Sequence, residues 1–122
     1  MANEQFAETF AQLKELLKTF ENQLILKVDN NEKYYLDAKT HPLKPTENVL
    51  FGGADIKKNA VSFHLFPVYM YPELLDEISP ELRKKMQGKS CFNFKKPDAE
   101  LFAQLKALTE RGYKKFEAEN LI

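Results

Sequence analysis

Residues 49–66 have the sequence VLFGGADIKKNAVSFHLF, in which two runs of strand-forming residues flank a short polar turn. Apolar and polar side chains alternate over residues 61–65, and a period of two is typical of a strand that is buried on one face. The polar residues 57–59 are few enough to form a hairpin turn. The adjacent Gly52 and Gly53 indicate a bulge or a close approach of the backbone. The segment therefore predicts a β-hairpin.

The segments on either side of this hairpin predict the fold class. Apolar residues recur at steps of three and four over residues 3–20, which predicts a helix, and residues 24–37 resemble a second hairpin. After the central hairpin come two short helical segments within residues 72–88, a strand at 90–94 and a helix from 97 onward. The second short helix is expected to continue to Gly88, which would end it in a left-handed conformation. This order predicts an α+β domain with a mainly antiparallel sheet of about five strands and with N- and C-terminal helices packed on one face. The predicted core includes Phe63, Leu65, Phe92, Phe94, Leu101 and Leu105.

Length and composition restrict the class of protein. A chain of 122 residues with 43% hydrophobic residues fits one folded domain, which we expect to span residues 1–122. The 18 basic and 18 acidic residues cancel, so the net charge favours neither nucleic acid nor a membrane as a partner. One cysteine cannot form an internal disulfide, and the acidic start lacks the features of a signal peptide. We therefore expect a cytoplasmic protein.

The strand alternation also predicts a binding surface on the face of the sheet opposite the core. His64 lies out of phase with its apolar neighbours, and so does Asn93. Together with Lys89, Tyr35 and Lys57, these residues are the predicted lining of a site for a small anionic or hydrogen-bonding ligand. We expect a non-enzymatic binding domain that presents this face to a small ligand or to a protein partner and that needs no cofactor.

The same face contains the two residues of a potential thiol and base pair. Cys91 and His64 both alternate away from the core, but the sequence pattern identifies no residue that would orient the imidazole. No glycine-rich oxyanion loop accompanies Cys91 either. The sequence therefore favours structural roles for both side chains, and their spacing does not match a zinc site.

Basic residues are concentrated in the segment just before the C-terminal helix. Residues 81–96 contain six Lys or Arg residues and one Glu. This run is consistent with an anion-binding patch, although lysines spread around a sheet edge and a helix end would give the same count.

Three blocks carry a resemblance to a known family: residues 50–56 (LFGGADI), 61–65 (VSFHL) and 86–95 (MQGKSCFNFK). Together they resemble the YdhG-like family of small bacterial domains, which is similar to frataxin in shape. The resemblance implies an α+β sandwich and, as an alternative function, iron binding or iron delivery.

Frataxin-type iron binding uses an acidic ridge on the first helix, and the corresponding candidates are Glu4, Glu8 and Glu15. Lys14 and Lys18 interrupt this ridge, so we expect weak iron binding at most. A third alternative is a protein–protein interaction module or homodimer, because ten Phe residues are many for so small a chain.

Overall fold

The structure, a computed structural model, describes the backbone of residues 2–122 and the side chains of residues 5–122. The strands are β1 (Ile25–Asp29), β2 (Lys33–Ala38), β3 (Val49–Ile56), β4 (Val61–Leu65) and β5 (Cys91–Phe94). The helices are α1 (Ala2–Lys18), α2 (Pro67–Met70), α3 (Pro80–Arg83) and α4 (Ala99–Ala118), with 3-10 segments at Glu21–Gln23 and Pro72–Glu77. No helix in residues 2–122 is long and apolar enough to span a bilayer.

The five strands form one sheet in the order β1-β2-β3-β4-β5, and every neighbouring pair is antiparallel. Strand β1 is one edge of this sheet, and Lys27 interrupts its register with β2 as an extra residue between Leu26 and Val28. The α+β class and the antiparallel sheet predicted from the sequence are confirmed.

Both long helices pack on the same face of the sheet. The rings of Phe94 and Phe102 lie 4.9 Å apart, and those of Phe51 and Phe116 lie 5.8 Å apart, which attaches α4 to the strands. A Cβ atom added to Gly52 would lie 3.1 Å from the side chain of Leu17 in α1. The predicted core is confirmed, because all six of its residues are buried: Phe63, Leu65, Phe92, Phe94, Leu101 and Leu105.

Gly52 and Gly53 lie at a bulge and at a close approach to the backbone, the two features that the sequence indicated. The register between β2 and β3 shifts beside Gly52, so β3 contains a bulge. At Gly53 the ring of Tyr35 lies directly on the backbone, and an added Cβ would be 2.1 Å from Tyr35 Cδ1. Gly53 therefore provides the space in which Tyr35 lies flat across the sheet.

The helix before β5, α3, is shorter than the sequence predicted. Ser79 caps α3 by accepting a hydrogen bond from the Leu82 amide at 3.2 Å, but the helix ends at Arg83 and does not continue to Gly88. The chain leaves the helix because its backbone pairs with β5, where the Asn93 amide donates to the Lys85 carbonyl at 2.8 Å. Gly88 adopts the predicted left-handed conformation, with φ of +82°, outside the helix.

Candidate functional site

The face of the sheet opposite the helices carries most of the predicted ligand-binding residues. Tyr35 on β2, His64 on β4 and Lys57 in the adjoining turn all converge on Asp55 of β3. Asp55 was not among the site residues predicted from the sequence. The structure therefore places at the centre of this cluster an aspartate that the strand pattern alone did not distinguish.

Asp55 is a buried carboxylate with several donors. Its Oδ1 lies 2.9 Å from His64 Nε2, and its Oδ2 accepts a hydrogen bond from Lys57 Nζ at 2.8 Å. The side chain is only 5% exposed. Burial by itself raises the pKa of this carboxyl, but hydrogen bonding from His64, Lys57 and Tyr35 outweighs burial and holds the pKa well below its usual range. Asp55 is therefore ionised in the folded protein at neutral pH.

His64 connects this carboxylate to the thiol of Cys91. Its Nδ1 lies 2.9 Å from Cys91 Sγ, while Nε2 faces Asp55. His64 and Cys91 lie directly opposite each other in the register of β4 and β5. The expectation that no residue orients the imidazole is wrong, because the Asp55 carboxylate fixes the ring from the side opposite the thiol. The imidazole of His64 thus bridges the thiol of Cys91 and the carboxylate of Asp55.

Tyr35 covers one side of this arrangement. Its ring lies over Gly53 and meets the His64 ring edge-on, with the ring centroids 6.1 Å apart. Burial and, next, the hydrogen-bonding interaction with Asp55 raise the pKa of Tyr35 to about 12. The phenol therefore stays protonated over the physiological pH range.

We expect Tyr35→Phe to weaken the loss of stability at alkaline pH. In the unfolded chain tyrosine ionises near its ordinary pKa of 10.0, whereas folded Tyr35 keeps its proton to about 12. The stabilising contribution of Tyr35 is thus complete below pH 10 and is lost as the pH rises toward 12. Urea unfolding at intervals of pH in this range should show wild type losing about 2 kcal/mol more than the variant. Parallel pH profiles for the two proteins would contradict this assignment.

Asn93 lies on the same face, two residues beyond Cys91 along β5. Its Oδ1 accepts a hydrogen bond from the hydroxyl of buried Ser62 at 2.6 Å, across the β4–β5 pair. The amide Nδ2 is then the donor that Asn93 can offer to a ligand. Asn93 also borders a cleft of about 330 Å³, whose lining consists of Ala60, Lys85, Asn93, Phe94, Lys95, Lys96 and Asp98.

Lys89 lies apart from the other predicted ligand-binding residues. Its Nζ is 5.9 Å from the centre of the Tyr69 ring, and it borders a different and more apolar cleft, of about 390 Å³, beside Met86 and Leu75. The structure thus associates Lys89 with Tyr69 rather than with His64. The lysines that accompany Asn93 are instead those at positions 85, 95 and 96.

The iron candidates do not form a site in the part of the chain that is described. Glu8 and Glu15 are exposed on α1, and the side chain of Glu4 lies outside the described residues. Among the described side chains, no group of three or more His, Cys, Asp or Glu residues could hold a metal ion. His64 lies between Asp55 and Cys91, so the three potential ligands do not converge on one point.

Comparison with models of protein families, with curated proteins and with solved structures gave no match to this chain. The resemblance to the YdhG-like family stays a prediction from the quoted motifs, and so do iron binding and homodimer formation.

Proposed function

We propose that the chain is a binding domain for a small anionic ligand with phosphate or carboxylate groups, bound in the cleft beside Asn93. The observation that carries the proposal is the charge of this cleft, in which Lys85, Lys95 and Lys96 accompany a single acid, Asp98. Clustered like charges raise the local concentration of counter-ions and favour an anion that neutralises them.

The acid in the cleft is already engaged within the protein. Oδ1 of Asp98 accepts a hydrogen bond from the Leu101 amide at 3.0 Å and so caps α4. Its charge is thus directed in part toward the positive end of that helix. The three lysines are exposed, so their ammonium groups are accessible to a ligand from solution.

Asn93 adds a directional donor to this charge. The hydrogen bond from Ser62 fixes the amide oxygen, and Nδ2 becomes the group available to an anionic oxygen. A volume of about 330 Å³ is at the lower end of the range for small-molecule sites. These features support recognition of a small charged metabolite.

Thermal unfolding in the presence of inorganic phosphate or citrate tests the proposal, with sodium chloride at matched ionic strength as the reference. A ligand at ten times its dissociation constant stabilises the folded state by about 1.4 kcal/mol, which raises the melting temperature by roughly 5 °C. We expect such a rise for at least one of the two anions.

The variant Lys95→Ala/Lys96→Ala should lose this rise. Its matched control is Lys106→Ala/Lys114→Ala, which removes two exposed lysines of α4 that do not line the cleft. The control should respond to the anions as wild type does. The proposal is wrong if wild type shows no rise with either anion, or if the cleft variant retains the full rise.

A further inference from the structure

Cys91 has the surroundings of a reactive thiol rather than those of a buried structural one. We propose that Cys91 is a nucleophile that uses His64 as its base and captures a low-molecular-weight disulfide as a mixed disulfide. The contact that carries this inference is the 2.9 Å distance from Cys91 Sγ to His64 Nδ1, with Asp55 on the other side of the imidazole. Cys91 is only partly buried and forms no disulfide.

The hydrogen bond to Asp55 determines which nitrogen of His64 can accept a proton. An ionised carboxylate accepts hydrogen bonds only, so Nε2 carries the proton that it donates to Asp55 Oδ1. In the neutral imidazole the lone pair is then on Nδ1, the nitrogen that faces Sγ. The thiol proton therefore has an acceptor already in place, and Asp55 is a positioning residue for that acceptor.

The reaction is a thiol–disulfide exchange. The sulfur of Cys91 attacks one sulfur of the disulfide as its proton passes to His64 Nδ1, and the bond between the two ligand sulfurs breaks. The leaving thiolate takes the proton back from His64 and departs as a thiol. The sulfur of Cys91 is oxidised and the leaving sulfur is reduced, so the step needs no reactant besides the disulfide.

The surroundings of Cys91 favour disulfide exchange over acyl transfer. Acyl transfer needs preorganised donors for an oxyanion. Backbone amides near Cys91 are instead committed to carbonyls: Leu65 N donates to Ser90, Gln87 N to Cys91 and Asn93 N to Lys85. Disulfide exchange needs a nucleophile, access and a proton for the leaving group, and the cluster supplies all three.

This inference concerns the face that adjoins the proposed anion cleft, but it rests on the contact between His64 and Cys91 and not on the lysines. Asn93 is two residues from Cys91 along β5, which is roughly 7 Å. A disulfide with carboxylates, such as glutathione disulfide, would extend toward Lys95 and Lys96. Its reaction with the thiol and its attraction to the cleft can be measured separately.

Alkylation by iodoacetamide measures the nucleophile alone, because the reagent is neutral and Cys91 is the single cysteine of the chain. We expect the rate constant at pH 7.5, followed by mass, to fall about tenfold or more in His64→Gln, because the base is lost. The matched control is His41→Gln, since His41 is the other histidine and lies against Phe66, with ring centroids 6.2 Å apart. The control should react as wild type does. Equal rates for wild type and His64→Gln would overturn the proposal.

A second comparison needs no variant. The folded chain should react with iodoacetamide at least as fast as the same chain unfolded in urea, although folding partly covers the thiol. A structural thiol would react more slowly in the folded state, and that result would overturn the proposal.

Two further measurements identify the positioning residue and the contribution of the cleft. Asp55→Ala should slow alkylation as His64→Gln does, and Asp55→Asn should restore part of the rate, because the amide oxygen can still accept from Nε2. Glutathione disulfide should react faster than neutral hydroxyethyl disulfide in wild type, and Lys95→Ala/Lys96→Ala should abolish only this difference. If that difference is absent but alkylation still depends on His64, the nucleophile is supported and the anion cleft is not.

Discussion

Replacing Asp55 by Ala is expected to lower the free energy of unfolding by about 3 kcal/mol, measured by urea unfolding at pH 7. The carboxylate is 5% exposed and accepts from both His64 and Lys57. Removing it leaves the Nε2 proton of His64 without its acceptor. Lys57 is half-exposed and can turn to solvent, so the loss of its ion pair with Asp55 adds little to the destabilisation. The melting temperature should fall by roughly 10 °C.

Asp37→Ala is the matched control, because Asp37 lies on β2 and its only salt bridge among the described residues, at 3.8 Å, is to the exposed Lys27. Burial raises the pKa of Asp37, so this carboxylate is not stabilised as Asp55 is, and its removal should have a small effect.

The difference in the free energy of unfolding between wild type and Asp55→Ala should also shrink as the pH falls below 3.8, the ordinary pKa of an aspartate. Because the folded pKa of Asp55 is depressed, its contribution is present above the unfolded value and is lost toward acid pH. A difference that did not change with pH would contradict the assigned ionisation of Asp55.

Replacing Gly53 by Ala is expected to destabilise the fold by about 2 kcal/mol, although alanine is usually the better strand residue. The new Cβ would lie 2.1 Å from Tyr35 Cδ1 and 3.0 Å from the Tyr34 carbonyl oxygen, so the tyrosine ring must move. Thermal and urea unfolding would both detect the change.

The same substitution in a Tyr35→Ala background separates this clash from any effect on the strand itself. Without the ring, Gly53→Ala should cost well under 1 kcal/mol, so the two substitutions are strongly coupled. An unchanged penalty in the double variant would show that the ring is not the reason for the glycine.

The fold was predictable because the period of the polarity pattern changes from 3.6 to 2, and back again, where the chain passes from helix to strand and from strand to helix. Alternation through residues 61–65 assigned Phe63 to the core and His64 to the opposite face, and burial confirms Phe63 in the core. The end of α3 was not predictable from its residues. Helix signals favoured continuation to Gly88, but pairing of the Lys85 backbone with Asn93 replaces the last helical turns. Such competition depends on a strand that follows later in the sequence.

The site was only partly predictable. The short turn after Ile56 fixes the hairpin register, which places Asp55 opposite Ser62 and diagonal to His64. That alignment was available from the sequence and would have indicated Asp55 as the partner of the histidine. The neighbour relation of β4 and β5 was not available, because 25 residues separate Leu65 from Cys91 and leave the pairing open. Close contact between the imidazole and the thiol therefore required coordinates.

The extra residue in β1 has a consequence for aggregation. An edge strand presents unpaired amides and carbonyls on which another chain can add a strand, and Ile25 and Leu26 are exposed there. Lys27 interrupts the regular register between these residues and Val28, and its side chain is half-exposed. A bulge and a lysine both oppose strand addition, because the bulge bends the edge and an incoming strand would have to desolvate the charge. Lys27, which disrupts the regular pairing of β1 with β2, thus also protects the apolar edge of the sheet against intermolecular β-sheet growth.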